Sequence, residues 1–449
     1  MAKKEKKDYV CSSCGCKSPK WMGKCPDCGQ WNTMVPCHPS SRRRTRHPSF
    51  VALDEVKEEG EERLLLPCEE MNRMLGGGMV RGSLVLLGGE PGVGKSTLVL
   101  QLASQMASKG EKVLYVSAEE TLRQIKMRGQ RIGAMSTGLY LLQEFGVESI
   151  LDQVDLLSPG MLILDSIQTV VLEDLPSSPG TVVQVREAAA KVMEYAKARN
   201  ITAILIGHVT KEGGLAGPKT LEHMVDTVLQ MEGDKGQPYR TLRVLKNRYG
   251  PDMEVVLLEM KEEGLEEVKD PSALFIRERL FGSPGSVVLA GLQGSRPLLL
   301  EVQALVAPSA YGMPRRIMTG ADPTRVSFIL AVVEKHMGIN MQGLDLFLNV
   351  PGGLRLTEPG ADLALLLSLV SSFQERPLGD GTAVFGEVGL GGEVRGVRGA
   401  LYRVQEASKH GFCQVVIPKS DGEKVSRRNT VKLIEVSHVR EALEILMDL

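Results

Sequence analysis

Short apolar runs alternate with longer stretches whose apolar positions recur at helical spacing, and this alternation governs the chain from residue 83 to residue 245. The run at 83–87 predicts a strand, and the pattern over 97–109 a helix that Lys109-Gly110 ends. Further strands are predicted over 112–117, 161–165, 201–207 and 239–245. Between the strands predicted over 161–165 and 201–207, residues 181–200 place Val182, Val185, Ala189, Val192 and Ala196 on one face of a long helix. Such an order requires an α/β domain with a largely parallel sheet. After the acidic stretch 261–270 the pattern changes to strands over 286–293 and 297–306, helices over 325–336 and 361–373, and a glycine-rich hairpin over 386–395.

At 449 residues the chain is long for one core and implies two or three domains. Hydrophobic residues make up 43 % and charged ones 24 %, and no apolar run approaches the roughly 20 residues of a membrane-spanning helix. The Lys-rich stretch 1–7 precedes no apolar segment, so neither a secretory signal nor a membrane anchor is expected, and a cytoplasmic location is. With a net charge of −1, binding to nucleic acid must rest on local clusters. One such cluster lies in 38–50, which holds Arg42, Arg43, Arg44 and Arg46 and no acidic residue. It reads equally as a phosphate-contacting arm and as a solvated tether.

Cys11-Ser12-Ser13-Cys14 and Cys25-Pro26-Asp27-Cys28 are two Cys-x-x-Cys knuckles 10 residues apart, with Gly29 allowing a tight turn after the second. Four thiolates at this spacing suit one tetrahedral Zn²⁺, and metal binding would supply much of the folding free energy of so short a segment. A redox dithiol would want βαβ surroundings that are missing here. Trp21 and Trp31, the chain's two tryptophans, are expected to pack around the metal. Cys16 and Cys37 are left over, and Cys68 and Cys413 read as core thiols.

Gly89-Glu90-Pro91-Gly92-Val93-Gly94-Lys95-Ser96, followed by Thr97, lies between the first strand and its helix and is a P-loop. Its backbone N–H groups and the helix N-terminus cradle a polyphosphate, Lys95 reaches the β- and γ-phosphates, and the Ser96 hydroxyl ligates Mg²⁺. The next strand ends in Ala118-Glu119-Glu120, where a carboxylate suits a general base. The strand 161–165 ends in Asp165, the Walker-B pattern for holding Mg²⁺. His208 ends a strand and either senses the γ-phosphate or is a hydrogen-bonded polar residue there. The loop that follows carries Lys211 and Lys219, suited to a DNA channel in a ring ATPase. Lys246-Asn247-Arg248-Tyr249-Gly250 offers cations of the kind a neighbouring subunit supplies to a γ-phosphoryl group, which suggests a ring. The chemistry of a P-loop does not choose between ATP and GTP.

The Cys-x-x-Cys pair, the P-loop, the 246–250 segment and the C-terminal glycine hairpin stand in one order that resembles the RadA (Sms) family of bacterial DNA-repair and recombination proteins over essentially the whole chain. Residues 25–32, 75–78, 115–120, 246–250 and 301–306 carry the resemblance most specifically, and Tyr249 stands where the family usually has Phe. The resemblance implies an α/β fold: a RecA-like P-loop ATPase core over 51–270, an α/β Lon-protease-like C-terminal domain over 271–449, a zinc finger over 1–37 and a linker over 38–50. It implies a hexameric ring, ATP, Mg²⁺ and Zn²⁺ as cofactors, and branch migration on single-stranded and branched DNA beside a RecA-type recombinase. Carried onto this sequence, Lys95 and Ser96 contact phosphate and Mg²⁺, Glu119 is the base, Asp165 the Walker-B acid, and Lys246 and Arg248 reach a neighbour's ATP. Lon-type proteolysis needs a Ser nucleophile and a Lys base. Those positions fall on Ala361 and Leu401 here, so a non-proteolytic platform is expected, with Arg315, Arg316 and Arg395 as contact surfaces. The alternatives are a KaiC-like signalling ring ATPase and an ATP-dependent protease.

Overall fold

The computed structural model describes residues 8–37, 61–208, 219–233, 236–252, 254–309, 313–425 and 431–447. The arginines of the basic linker and Lys211 lie outside the described residues. The chain divides into two compact units, one of Met1–Glu232, Arg240–Asp252 and Leu258–Glu267, the other of Gly233–Tyr239, Met253–Leu257 and Val268–Leu449.

In the N-terminal module, β1 (Asp8–Cys11) pairs antiparallel with both β2 (Lys17–Ser18) and β3 (Met34–Cys37). Its small core is Cys11, Cys25 and Met34, with Tyr9 and Met22 packed against them. The expected role of Trp21 and Trp31 in that core is not what the fold shows: both are exposed. Methionine, unbranched and adaptable, fills the space beside the sulfurs instead.

The first part of the ATPase segment is a short pair, β4 (Arg63–Leu64) with β5 (Met79–Val80), around α1 (Glu69–Met74). There follow β6 (Leu84–Gly89), α2 (Lys95–Ser108), β7 (Val113–Ser117), α3 (Leu122–Arg131), β8 (Leu139–Gln143), α4 (Val147–Leu157), β9 (Met161–Asp165), α5 (Val182–Arg199), β10 (Thr202–Ile206), α6 (Lys219–Met224), β11 (Thr227–Glu232), β12 (Tyr239–Asn247), β13 (Val255–Lys261) and β14 (Gly264–Glu267). They form a sheet in the order β14-β13-β12-β11-β6-β10-β9-β7-β8. From β8 to β11 every pairing is parallel, and β12 runs antiparallel to β11. The central strands β6, β7, β9 and β10 are buried on both faces, which is why they read as continuous apolar runs. Helices α3 and α5 begin on threonine caps, Thr121 and Thr181, whose hydroxyls accept the Gln124 and Gln184 backbone N–H groups. The registers Ser117↔Asp165 and Ile206↔Asp165 bring the ends of β7, β9 and β10 level, and Ile206↔Leu87 adds β6. The P-loop, Glu119, Asp165 and His208 therefore leave one edge of the sheet, the edge where parallel α/β sheets bind ligands.

The C-terminal fold comprises α7 (Pro271–Ile276), β15 (Ser286–Gln293), β16 (Arg296–Pro308), β17 (Arg316–Thr319), α8 (Pro323–Met337), β18 (Leu344–Asn349), α9 (Asp362–Gln374), β19 (Thr382–Val384), β20 (Glu387–Val388), β21 (Val394–Arg395), α10 (Ala400–Lys409), β22 (Gln414–Pro418), α11 (Lys419–Val425), β23 (Lys432–Val436) and α12 (Val439–Met447). Its mixed sheet runs β17-β18-β16-β15-β19-β22-β23, and β20 and β21 form the glycine hairpin. Helix α9 is buried from Asp362 to Ser372 on all sides, as a central helix must be. Neither Cys68 nor Cys413 is a core thiol. Cys413 is exposed, and the half-buried Cys68 donates to Glu267 Oε2 at 3.0 Å; burial and that carboxylate push its pKa up to about 12.

Candidate functional site

The P-loop turns from β6 into α2 with Gly94 as the helix N-cap at φ 116°. The positive φ at Gly94 and, at Gly89, a Cβ that would lie 2.5 Å from the Met231 carbonyl oxygen make glycine the residue both positions require. Lys95 is buried, and its ammonium donates to Gly89 O at 2.7 Å and Glu90 O at 2.9 Å and lies 3.3 Å from His208 Nδ1. An ammonium only donates, so His208 Nδ1 accepts, and its Nε2–H donates to Glu119 Oε1 at 3.1 Å. His208 thus bridges the P-loop lysine to Glu119. The Ser166 hydroxyl donates to the same Glu119 oxygen.

These neighbours set the ionisation of the site. Burial pulls the Lys95 pKa down, with Asp165 and Glu119 opposing it. Glu119 sits below its ordinary value, chiefly through the His208 hydrogen bond against partial burial, with Ser166 helping. Burial pushes Asp165 up, against hydrogen bonds from Tyr115 and Ser96. The Tyr115 hydroxyl donates to Asp165 Oδ2 at 2.5 Å. Ser96 and Asp165 therefore stand together as a hydroxyl–carboxylate pair at a helix N-terminus. This oxygen donor set fits Mg²⁺, and the loop amides fit a polyphosphate. Of the two glutamates after β7, Glu119 faces this cluster, whereas Glu120 is paired with Arg128 at 2.5 Å. Tyr115 and Ser166 were not singled out from the sequence. A tyrosine in a buried strand needs a partner for its hydroxyl, which was the available signal.

Lys246 and Arg248 lie elsewhere. The pairings Thr227↔Val85 and Thr227↔Asn247 put the end of β12 beside the start of β6, whereas Met231↔Gly89 puts the P-loop at the other edge. The separation along the strands is roughly 13 Å at 3.3 Å per residue. The Lys246 ammonium donates to Glu222 O at 2.8 Å, His223 O at 3.3 Å and Val225 O at 2.8 Å, closing the C-terminus of α6. Arg248 Nη1 meets the buried Asp226 at 3.2 Å; that carboxylate also takes Lys197 at 3.0 Å and the Leu84 N–H at 3.1 Å. Around the same motif, Arg63 ties Leu75 O and Gly78 O to Tyr249 O, and a Cβ on Gly76 would fall 2.9 Å from the Gly250 Cα. Segments 75–78 and 246–250, far apart in sequence, are thus packed backbone on backbone.

In the N-terminal module Cys11 Sγ and Cys28 Sγ are 3.7 Å apart, Cys14 and Cys25 3.5 Å, and all four sulfurs lie within 4.8 Å of one another. A tetrahedral zinc with Zn–S bonds of about 2.3 Å has S···S edges of about 3.8 Å, so the cluster fits the ion. Both knuckles use one backbone pattern: Cys11 N–H to Cys16 O and Gly15 N–H to Cys11 O, then Cys25 N–H to Gln30 O and Gly29 N–H to Cys25 O. Gly15 and Gly29 have φ of 78° and 72°.

In the C-terminal fold Ala361 is buried and Leu401 lies in the first turn of α10. The charged pair nearby is Glu358 with Arg403, whose guanidinium is buried, also donates to Ala290 O and Arg398 O, and lies 5.4 Å from the Phe385 ring centroid.

Three family models match: an AAA domain over residues 55–214, a rubredoxin metal-binding domain over 9–36, and subunit ChlI of Mg-chelatase over 323–421. The chain is 46 % identical to a DNA repair protein RadA of Bacillus subtilis, covering 98 % of each chain. A RadA of Halalkalibacterium halodurans is 45 % identical over 100 % of both chains, and one of Aquifex aeolicus 45 % over 99 %. The chain belongs to the RadA family of DNA repair proteins. Its fold is that of a P-loop ATPase core with an N-terminal four-cysteine ribbon and a C-terminal α/β domain like those of ChlI and Lon. Among solved structures, a KaiC-like protein of Pyrococcus horikoshii overlaps 46 % of this chain and all of its own at 20 % identity, with a TM-score of 0.40. No described helix is long and apolar enough to cross a membrane.

Proposed function

We propose that this RadA-family chain is a DNA-dependent ATPase that works as a homohexameric ring and drives branch migration of single-stranded DNA beside a RecA-type recombinase. ATP bound by residues 89–97 and Mg²⁺ held by Ser96 and Asp165 form the substrate complex. Glu119 activates the attacking water, and Lys246 and Arg248 act on the neighbouring subunit's nucleotide. The observation that carries this reading is His208, which touches both Lys95 and Glu119 and is followed directly in sequence by the segment bearing Lys211, which leads into Lys219 at the start of α6. One residue then reports γ-phosphate occupancy to a cationic loop suited to DNA. The C-terminal domain serves assembly and DNA contact through Arg315, Arg316 and Arg395, since an alanine at 361 offers no nucleophile for proteolysis.

The test is ATP hydrolysis with and without single-stranded DNA at several salt concentrations, in wild type and Lys246→Ala. Stimulation that weakens with salt in the wild type and is lost in the variant is expected. Basal turnover that no DNA stimulates would favour a signalling ATPase instead.

A further inference from the structure

The two tryptophans of the chain both lie in the zinc ribbon, and neither is in its core. Trp21 is 56 % and Trp31 70 % exposed. A Cβ placed on Gly23 would lie 3.7 Å from Trp21 Cη2 and 3.8 Å from Trp31 Cζ3, so the two indoles converge over this glycine. The backbone fixes them there. Lys24 bridges antiparallel to Trp31, and the Asn32 N–H donates to Gly23 O at 2.7 Å. Lys24 adjoins the zinc ligand Cys25, so the metal cluster anchors the same segment. The Lys24 ammonium lies 5.7 Å from the Trp31 ring centroid, and Lys20 is exposed beside Trp21 in sequence.

Two rigid aromatic faces held in the open and edged by lysines match a ligand with flat π-faces on a negatively charged backbone. The exposed neighbours are Lys20, Lys24, Pro26, Asp27, Gln30 and Asn32, so the two lysines outnumber the one carboxylate and the charge beside the indoles is net positive, as a phosphate backbone requires. We propose that Trp21 and Trp31 form a stacking platform for unpaired nucleotides, with bases on the indole faces and phosphates passing Lys20 and Lys24. This inference rests on the DNA-motor reading above and assigns the ribbon a direct part in holding the strand.

Because the chain has no other tryptophan, indole emission reports this platform alone. Full-length, zinc-loaded protein is titrated with an oligothymidine while indole emission is followed, and in parallel the anisotropy of the same oligonucleotide carrying a fluorescent label. The expected result is quenching that saturates with the anisotropy and weakens with salt. Trp31→Ala and Trp21→Ala each bind roughly tenfold more weakly, in the range that base–aromatic stacking supplies, and Trp31→Phe retains most of the affinity. Zinc content and DNA-free ATP hydrolysis stay at wild-type levels, which separates loss of stacking from loss of the ribbon. Saturating anisotropy without quenching, or alanine variants that bind as wild type, would overturn the platform while leaving the DNA reading intact. Emission that responds only to added recombinase or to rising protein concentration would make the face a protein interface and also overturn it. No anisotropy change under any condition would remove the DNA reading and the platform together.

Discussion

At the scale of single residues, His208 links the P-loop lysine to Glu119, the base in the function proposed above. The three ammonium donors of Lys95 are taken by two loop carbonyls and His208 Nδ1, which leaves Nε2–H for Glu119. That hydrogen bond is the main reason Glu119 stays ionised below the ordinary carboxylate range. Replacing His208 by alanine removes it, so the Glu119 pKa rises and its base form is lost at a higher pH. In kcat measured against pH, the acid limb of His208→Ala is expected to move to higher pH, while Glu119→Gln loses turnover but still binds ATP. An acid limb in the same place as wild type would show that Glu119 is not the titrating base. Glu120 makes the contrast clear: one residue further along, it is spent on Arg128.

Among elements, the strands were the most legible in sequence. The apolar runs within 161–165 and 286–293 coincide with β9 and β15, because burial on both faces of a sheet writes itself directly into the order of residues. What stayed hidden depends on partners remote in the chain. Lys246 caps α6 through backbone carbonyls some twenty residues upstream, and carbonyls leave no residue-type signature. The tryptophans misled for the opposite reason: their size suggests burial, but Met34 and Met22 already fill the ribbon beside the sulfurs. The contact between segments 75–78 and 246–250 is likewise visible only in the fold, and it explains the glycine that closes the second. A Cβ on Gly250 would stand 2.8 Å from Leu75 O and 3.0 Å from the Gly76 Cα. Gly250→Ala must therefore push two backbones apart, at a cost of about 1–3 kcal/mol. Gly110→Ala places its methyl in open space and meets only the strain of φ 97°, about 1 kcal/mol. Thermal melting should show the larger drop in Tm for Gly250→Ala, and equal drops would mean that the two segments yield without resistance.

For the whole molecule, the decisive feature is that the sheet separates Arg248 from its own P-loop. Met231 pairs with Gly89 at one edge, and Asn247 lies opposite Thr227 at the other. In the ring proposed above, an arginine placed there would act on nucleotide only across a subunit boundary, which is how rings of P-loop ATPases make hydrolysis depend on assembly. Arg248→Ala should assemble but hydrolyse poorly. Its fold is protected because Asp226 keeps Lys197 and the Leu84 N–H, so no buried carboxylate is stranded. Lys95→Ala should also be inactive, with an intact Arg248. Mixed in equal amounts and allowed to exchange, the two variants create interfaces in which an intact P-loop faces an intact arginine. If subunits sort at random and interfaces act independently, about one quarter of all interfaces are complete, so the mixture recovers about one quarter of wild-type turnover when the arginine acts in trans. If it acts in cis, no subunit in the mixture is whole and the rate stays at the mean of the two parents. ATP turnover across mixing ratios separates these cases, since trans action gives a maximum at equal proportions and cis action a straight line between the parents.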